Sequence, residues 1–88
     1  MKAIILFKPN TETERSVSEY VREFARETGK EINLIDVESV EGVEMAKLYD
    51  ILQTPAIVTF RDDGTIVEAW TEQEKWPTIA ELSFYNQS

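Results

Sequence analysis

The chain has 88 residues, which predicts one small domain (1–88) with a thin core, because a chain this short buries only about 60 to 65% of its unfolded surface. It contains no cysteine and no histidine, which excludes disulfides, thiolate and imidazole catalysis, and the usual zinc ligands. The acidic net charge of -8 disfavours nucleic acid and anionic membranes as partners.

The start of the chain predicts a buried strand at residues 3–7. The unbroken apolar run AIILF is typical of a strand covered on both faces. It ends at Lys8 and Pro9, and it is too short for the apolar region of a secretory signal. No stretch has enough apolar residues to span a membrane. We therefore expect a cytoplasmic protein.

The next predicted element is an amphipathic helix that begins between residues 10 and 16. Thr11 and Glu14 have the spacing of a capping box, and Gly29 can take the left-handed conformation that closes a helix. The residues between them that recur at helical spacing are Val17, Tyr20, Val21, Phe24, Ala25 and Thr28. The opposite side carries charges of both signs, which is typical of a solvated surface.

A second strand and a second helix follow. Residues 31–37 predict the strand, and an acidic turn leads from it into the helix. This helix is expected to begin at Val40 or Val43 and to run to about Leu52. The apolar residues that supply its inner face are Val43, Ala46, Leu48, Tyr49 and Leu52.

The last third of the chain predicts a hairpin and a short helix. Residues 56–60 and 65–70 read as strands joined by an Asp-Asp-Gly turn, because Asp-Gly readily adopts the positive φ of tight hairpins. Trp76-Pro77 opens the final helix, with proline suited to its first turn. The order βαβαββα predicts an α/β fold with a mixed four-stranded sheet flanked by helices.

The segment before the third strand resembles the thioredoxin superfamily. In that superfamily a Tyr-x-Ile-x-x-x-Pro segment ends the preceding helix, and Tyr49, Ile51 and Pro55 match it. The resemblance implies that Pro55 is in the cis form beside the former active site. It also implies that the backbone of Thr54 is exposed and able to pair with an extended ligand.

The segment after the first strand is similar to that of glutaredoxins, a branch of the same superfamily with a Lys-Pro-x-Cys-x-x-Cys sequence. Lys8 and Pro9 match, but Thr11 and Glu14 stand where the two cysteines belong. A hydroxyl and a carboxylate cannot form or break a disulfide, so thiol-disulfide exchange is excluded. The Gly-Gly-x-Asp turn that helps glutaredoxins to hold glutathione is missing as well.

These features predict a non-catalytic thioredoxin-like domain that binds a protein or peptide near the cis-proline face. We expect no cofactor, no metal and no catalytic residue. Thr11 and Glu14 have simple helix capping as an alternative role, and Trp76 has packing over the sheet or the last helix. The candidate binding residues are Pro9, Asn10, Thr11, Glu14, Thr54, Pro55 and Trp76.

Three other functions are open at this point. One is a glutathione-using transferase in which the hydroxyl of Thr11 or of a tyrosine, such as Tyr20, activates a bound thiol. Another is a regulatory module similar to the circadian-clock KaiB family, which also has a cysteine-free thioredoxin-like state; its Asn-Thr and Ser-Val pairs lie closer together than Asn10-Thr11 and Ser16-Val17 do here. The last is a structural or oligomerising module.

Overall fold

The apolar run near the start of the chain forms the middle of a mixed sheet. The computed structural model describes residues 2–85. The strands are β1 (Lys2–Phe7), β2 (Asn33–Asp36), β3 (Ala56–Phe60) and β4 (Ile66–Trp70), and the helices are α1 (Thr13–Thr28), α2 (Val40–Leu48) and α3 (Ile79–Tyr85). A single 3-10 turn, Gln73–Lys75, lies between β4 and α3. The predicted element order and the mixed four-stranded sheet are confirmed.

The strands lie in the order β2-β1-β3-β4. β1 runs parallel to β2 and antiparallel to β3, with Ile5 opposite both Leu34 and Ile57. β4 runs antiparallel to β3 and, like β2, lies at an edge of the sheet. Because β1 and β3 have neighbours on both sides, they are the strands that the sequence makes almost entirely apolar.

The core has two layers, one on each face of the sheet. Ala3 and Ile5 of β1 belong to the layer beneath α1 and α3, which also contains Phe24 and Leu82. Ile4 and Leu6 belong to the layer beneath α2, with Ile35, Ile51, Ala56 and Val58. Successive residues of a strand point to opposite faces, so an uninterrupted apolar run is what a strand buried on both sides needs.

Helix α2 differs from its prediction in both length and orientation. It ends at Leu48, and Leu48 and Leu52 are 74% and 88% exposed, so the expectation that they supply its inner face is wrong. The side that faces the sheet is instead formed by Gly42, Met45 and Ala46. Gly42 has no Cβ and therefore allows the helix to approach the end of β2 closely, and with this side inward Leu48 faces solvent. Leu52 lies beyond the end of the helix.

A Schellman motif ends α2 and explains why the helix stops early. Asp50 takes the left-handed conformation with φ 57°, a position that usually holds glycine. The N–H of Ile51 donates to the carbonyl of Ala46 at 2.8 Å, and the N–H of Asp50 donates to the carbonyl of Lys47 at 3.4 Å. Ile51 and Ala46 pack in the same core layer, which completes the motif.

We expect Asp50→Gly to stabilise the protein. Glycine adopts positive φ without steric cost, and the change also removes a negative charge from the carbonyl end of α2. The free energy of unfolding should rise by about 0.5–1 kcal/mol in urea titrations. Asp50→Asn removes only the charge and should give about half of this gain. An unchanged or lower stability for the glycine variant would contradict this account of the turn.

The start of α3 also differs from its prediction. The helix begins at Ile79, so Pro77 precedes it instead of opening it. The capping residue is Thr78, whose Oγ1 accepts the N–H of Glu81 at 3.2 Å and whose hydroxyl donates to the Glu81 carboxylate at 3.1 Å. The Thr-x-x-Glu spacing of Thr78 and Glu81 is itself a capping signal in the sequence.

The hairpin between β3 and β4 forms at its predicted position. Its turn closes with the N–H of Gly64 on the carbonyl of Arg61 at 2.9 Å, and Gly64 has φ 90°. The side chain of Asp63 accepts the N–H of Thr65 at 2.9 Å. Within residues 2–85, no helix is both long enough and apolar enough to cross a bilayer.

Candidate functional site

The cis Thr54-Pro55 peptide bond lies in the connection between α2 and β3. Two side chains of the preceding segment anchor this connection. Tyr49 stacks on Phe60 with ring centroids 6.2 Å apart, and Ile51 is only 8% exposed in the core beneath α2. The cis form implied by the resemblance is therefore present, and the residues that carry the resemblance are those that hold the connection in place.

A cleft of about 600 Å³ opens at this peptide bond. One wall is formed by Gln53, Thr54 and Pro55, together with Thr13 from the first turn of α1. The other wall is the segment that follows β4, residues 71–74. The pairing of Leu6 with Ala56 brings the end of β1, and hence the start of α1, alongside the cis bond.

The backbone of Thr54 has no internal hydrogen-bond partner. Its N–H and its carbonyl belong to no helix or strand, and neither bonds to another group of residues 2–85. The residue is partly exposed and lines the cleft. Backbone groups without a partner inside the protein must bind water or an incoming ligand.

Side-chain hydrogen bonds hold the turn that leads into α1, although no side chain of residues 2–85 caps the helix itself. The Glu14 carboxylate accepts the N–H of Asn10 at 2.9 Å, and the Thr11 hydroxyl donates to the carbonyl of Lys8 at 2.8 Å. The capping box expected between Thr11 and Glu14 is not formed, because the N-cap position is Glu12 in a helical conformation. Asn10 has φ 63°, which asparagine tolerates better than most residues.

The structure brings together only part of the predicted binding face. Among the described residues, Thr54 and Pro55 line the cleft. Pro9, Asn10 and Thr11, in the turn before α1, and Glu14, in its first turn, do not line it. Trp76 packs edge-on against Tyr20, with ring centroids 5.1 Å apart, over the core beneath α1. Its Nε1 is buried without a partner among residues 2–85.

The far wall of the cleft, residues 71–74, is not among the binding residues predicted from the sequence. These residues read only as a polar loop between two tryptophans, and no local pattern ties them to Thr54. A side-chain hydrogen bond from Gln73 to Ser16 Oγ, 2.6 Å long, holds this wall against α1. The relation between the walls is set by the pairing of β3 with β4, which is a tertiary contact.

The cleft carries negative charge. Glu72 and Glu74 line it, and no lysine or arginine of residues 2–85 does. Lys75 lies just beyond and pairs with Glu72, with its Nζ 3.0 Å from the carboxylate. Glu74 has no ion-pair or hydrogen-bond partner within the described range. The electrostatic character of the cleft is therefore acidic.

Tyr20 lies near Trp76 and has an altered acidity. Its hydroxyl donates to the carbonyl of Pro77 at 2.9 Å. Burial raises the pKa of Tyr20 to about 12, and the Glu81 carboxylate adds to the shift. The phenolate is therefore scarce at neutral pH, and the hydroxyl is already used to hold the segment before α3.

We expect the protein to lose stability at alkaline pH because Tyr20 ionises more readily in the unfolded chain than in the folded one. Since its folded pKa lies near 12 and its unfolded value is 10.0, the unfolded chain ionises first, and stability is lost as pH rises through this window. Because the residue is only half-buried, the loss should be about 1–2 kcal/mol. Tyr20→Phe should cost about 1 kcal/mol at neutral pH through the lost hydrogen bond, and this deficit should shrink or disappear toward pH 12. Denaturant titrations across the window test this, and a constant difference would contradict it.

Comparison with known proteins shows likeness in structure but not in sequence. No protein-family model matches the chain, and no curated protein matches its sequence. Thioredoxin 1 from the thermophilic eubacterium Thermosipho africanus TCF52B superposes with a TM-score of 0.63 at 15% identity, over 93% of this chain and 85% of that one. A malarial protein superposes with a TM-score of 0.61 at 16% identity, over 97% of this chain and 93% of that one.

These superpositions show the fold. The chain has a thioredoxin-like fold, and its sequence contains no cysteine. At such low identity the likeness carries no function from one protein to the other. The role of the cleft therefore has to be argued from the residues that form it.

Proposed function

We propose that this domain is a non-catalytic binding module that holds an extended segment of a partner protein in the cleft beside Pro55. The observation that carries the proposal is the backbone of Thr54, whose N–H and carbonyl face no internal partner within residues 2–85. An extended peptide satisfies such groups by main-chain hydrogen bonds, as in strand addition to a sheet. We also propose that the protein acts in the cytoplasm, as its sequence predicts.

The surface next to the cleft supports a protein ligand. Leu52 directly precedes Gln53, a residue of the cleft wall, and is 88% exposed. Exposed apolar side chains beside a polar cleft are typical of the mixed surfaces that proteins use for association. A partner segment that continues beyond Gln53 would cover Leu52.

The hydroxyls considered for a transferase do not favour catalysis. Thr11 uses its hydroxyl hydrogen in the bond to Lys8, and Tyr20 uses its own in the bond to Pro77. The raised pKa of Tyr20 keeps its hydroxyl protonated at neutral pH, so almost no phenolate is present to take a proton from a thiol. Binding is therefore the better use of this site.

Filling the cleft tests the proposal. Gln53→Trp places a bulky side chain on an exposed residue of the cleft wall, and Glu27→Trp places the same group on the exposed side of α1. The probe is a mixture of short, unbiased extended peptides added to protein labelled with ¹⁵N. We expect saturable shifts of the amides of Gln53, Thr54 and residues 71–74.

The two variants should separate binding in the cleft from nonspecific binding to the protein surface. Gln53→Trp should abolish the amide shifts, and Glu27→Trp should leave them unchanged, with both variants keeping the unfolding midpoint of the parent. The proposal fails if no peptide in the mixture shifts these amides, or if the shifts survive Gln53→Trp.

A further inference from the structure

From the charge of the cleft we infer that the bound segment is basic, an inference that rests on the proposed function. The segment places a lysine or arginine against Glu74 while its backbone pairs with Thr54. Glu72 and Glu74 line the wall opposite Thr54, and no basic residue of residues 2–85 lines the cleft. A cationic side chain projecting from a peptide on Thr54 would therefore meet carboxylates.

The contact between Lys75 and Glu72 shows how an ammonium group is accommodated here. Lys75 Nζ lies 3.0 Å from the Glu72 carboxylate, at the outer end of the wall. Both side chains are more than half exposed, so this pair is weak and exchanges readily with solvent. Glu74 has no such partner within the described residues. The incoming cation is therefore expected at Glu74, with Glu72 released from Lys75 as a second acceptor.

The start of α1 does not reverse this preference. A helix N-terminus attracts anions, and Thr13 of α1 lines the cleft. However, Glu12 is the N-cap residue, and the carboxylate of Glu14 occupies the first turn and accepts the N–H of Asn10. These two carboxylates offset the positive end of the helix, so an acidic ligand would gain little from it and would still face Glu72 and Glu74.

The net charge of the protein selects against a second copy of the same chain as the occupant. Each copy carries a net charge of -8, so association between copies brings like charges together. A basic segment is attracted by the same field from a distance and by Glu72 and Glu74 at close range. Both effects weaken as salt rises, which gives the inference a direct signature.

A positional library of peptides tests the inference. Peptides about ten residues long span roughly 33 Å when extended, which matches the longest dimension of the protein, 32 Å. One position at a time is fixed as lysine, arginine, glutamine or glutamate, and binding is measured from the shifts of the amides of Thr54 and residues 71–74. We expect lysine and arginine to bind tightest and glutamate weakest, with affinity falling as salt is raised.

A charge-matched pair of variants locates the effect. Glu72→Gln with Glu74→Gln should weaken binding of the lysine peptides about three- to tenfold. Glu27→Gln with Glu44→Gln makes the same change in net charge on exposed surfaces outside the cleft, and should weaken binding less than about twofold.

Each outcome has a distinct meaning. Equal weakening by both double variants would overturn the inference, because the attraction would then come from the net charge alone. The inference is also overturned if peptides bind without preference for lysine or arginine. If Gln53→Trp abolishes that binding, the proposed function still holds. If no peptide binds, both fail together.

Discussion

Gly42→Ala is expected to destabilise the protein by about 3–5 kcal/mol, a large share of the roughly 4–13 kcal/mol that stabilises a domain of this length. A Cβ at this position would lie 2.0 Å from the carbonyl oxygen of Asp36 and 2.9 Å from the Cα of Val37. Both are backbone atoms, so no side-chain rotation relieves the contact. Relief requires that α2 move away from the end of β2, which opens the core layer around Ile35 and Met45.

Helix propensity alone predicts the opposite sign for this change. Gly42 lies within α2, and alanine favours a helix interior by about 1 kcal/mol over glycine. Gly29→Ala is a useful control, because Gly29 has φ 73° but a Cβ there would meet no atom within 4 Å, so only backbone strain of about 1 kcal/mol is expected. Urea titrations of both variants test this, and a Gly42→Ala protein as stable as the parent would show that the close contact does not exist.

Leu82→Ala is expected to cost about 2–5 kcal/mol and to release α3 from the body of the protein. Leu82 is completely buried and is the only fully buried residue of α3. The helix has only seven residues, too few to be stable without tertiary contacts. Its detachment would separate Tyr85 from Trp70, whose rings now meet edge-on at 5.3 Å.

Phe84 supplies a matched control on the same helix. It is 69% exposed, so Phe84→Ala should change the free energy of unfolding by less than about 0.5 kcal/mol. Urea titration gives the stability of each variant, and tryptophan fluorescence or near-ultraviolet circular dichroism reports on the Trp70 environment. If both variants lose the same stability, α3 is not held by Leu82.

The sheet and the first helix were predictable because their signals are local. The run of residues 3–7 is apolar at every position, and it forms a strand buried on both faces. The helical recurrence up to Phe24 and the glycine after Thr28 mark α1, which ends at the expected place. The Asp-Asp-Gly turn likewise marks the hairpin. In each case the periodicity or turn chemistry agrees with the tertiary environment.

The errors lie where tertiary contacts outweigh local pattern. Leu48 has the spacing of a core residue, but Gly42 is the residue of α2 that approaches the sheet closely, which periodicity does not reveal. Leu52 is exposed because the helix ends before it. Asp50 is not a common residue for a helix end, so the sequence does not predict the Schellman turn. For α3, Pro77 favours a helix start at its own position, but the capping pair formed by Thr78 and Glu81 sets the start two residues later.

The candidate site was predictable only on one side. The resemblance around Tyr49 and Pro55 pointed to the wall that contains Thr54, where the structure has a cis bond. The acidic wall follows β4, and its position depends on how far β4 extends along β3. A polar stretch with two glutamates has no feature that distinguishes a cleft wall from an ordinary surface loop. The charge of the cleft therefore became visible only in three dimensions.

A nascent chain leaves the ribosome with β1 first and β3 much later, since α1, β2 and α2 are synthesised between them. Until β3 emerges, β1 has β2 on one side and an open hydrogen-bonding edge on the other, with apolar side chains on both faces. Such an edge is a template for association with other chains. We therefore expect folding to be completed only after translation has passed Phe60, and expect chaperones that shield apolar strands to act on the protein before that point.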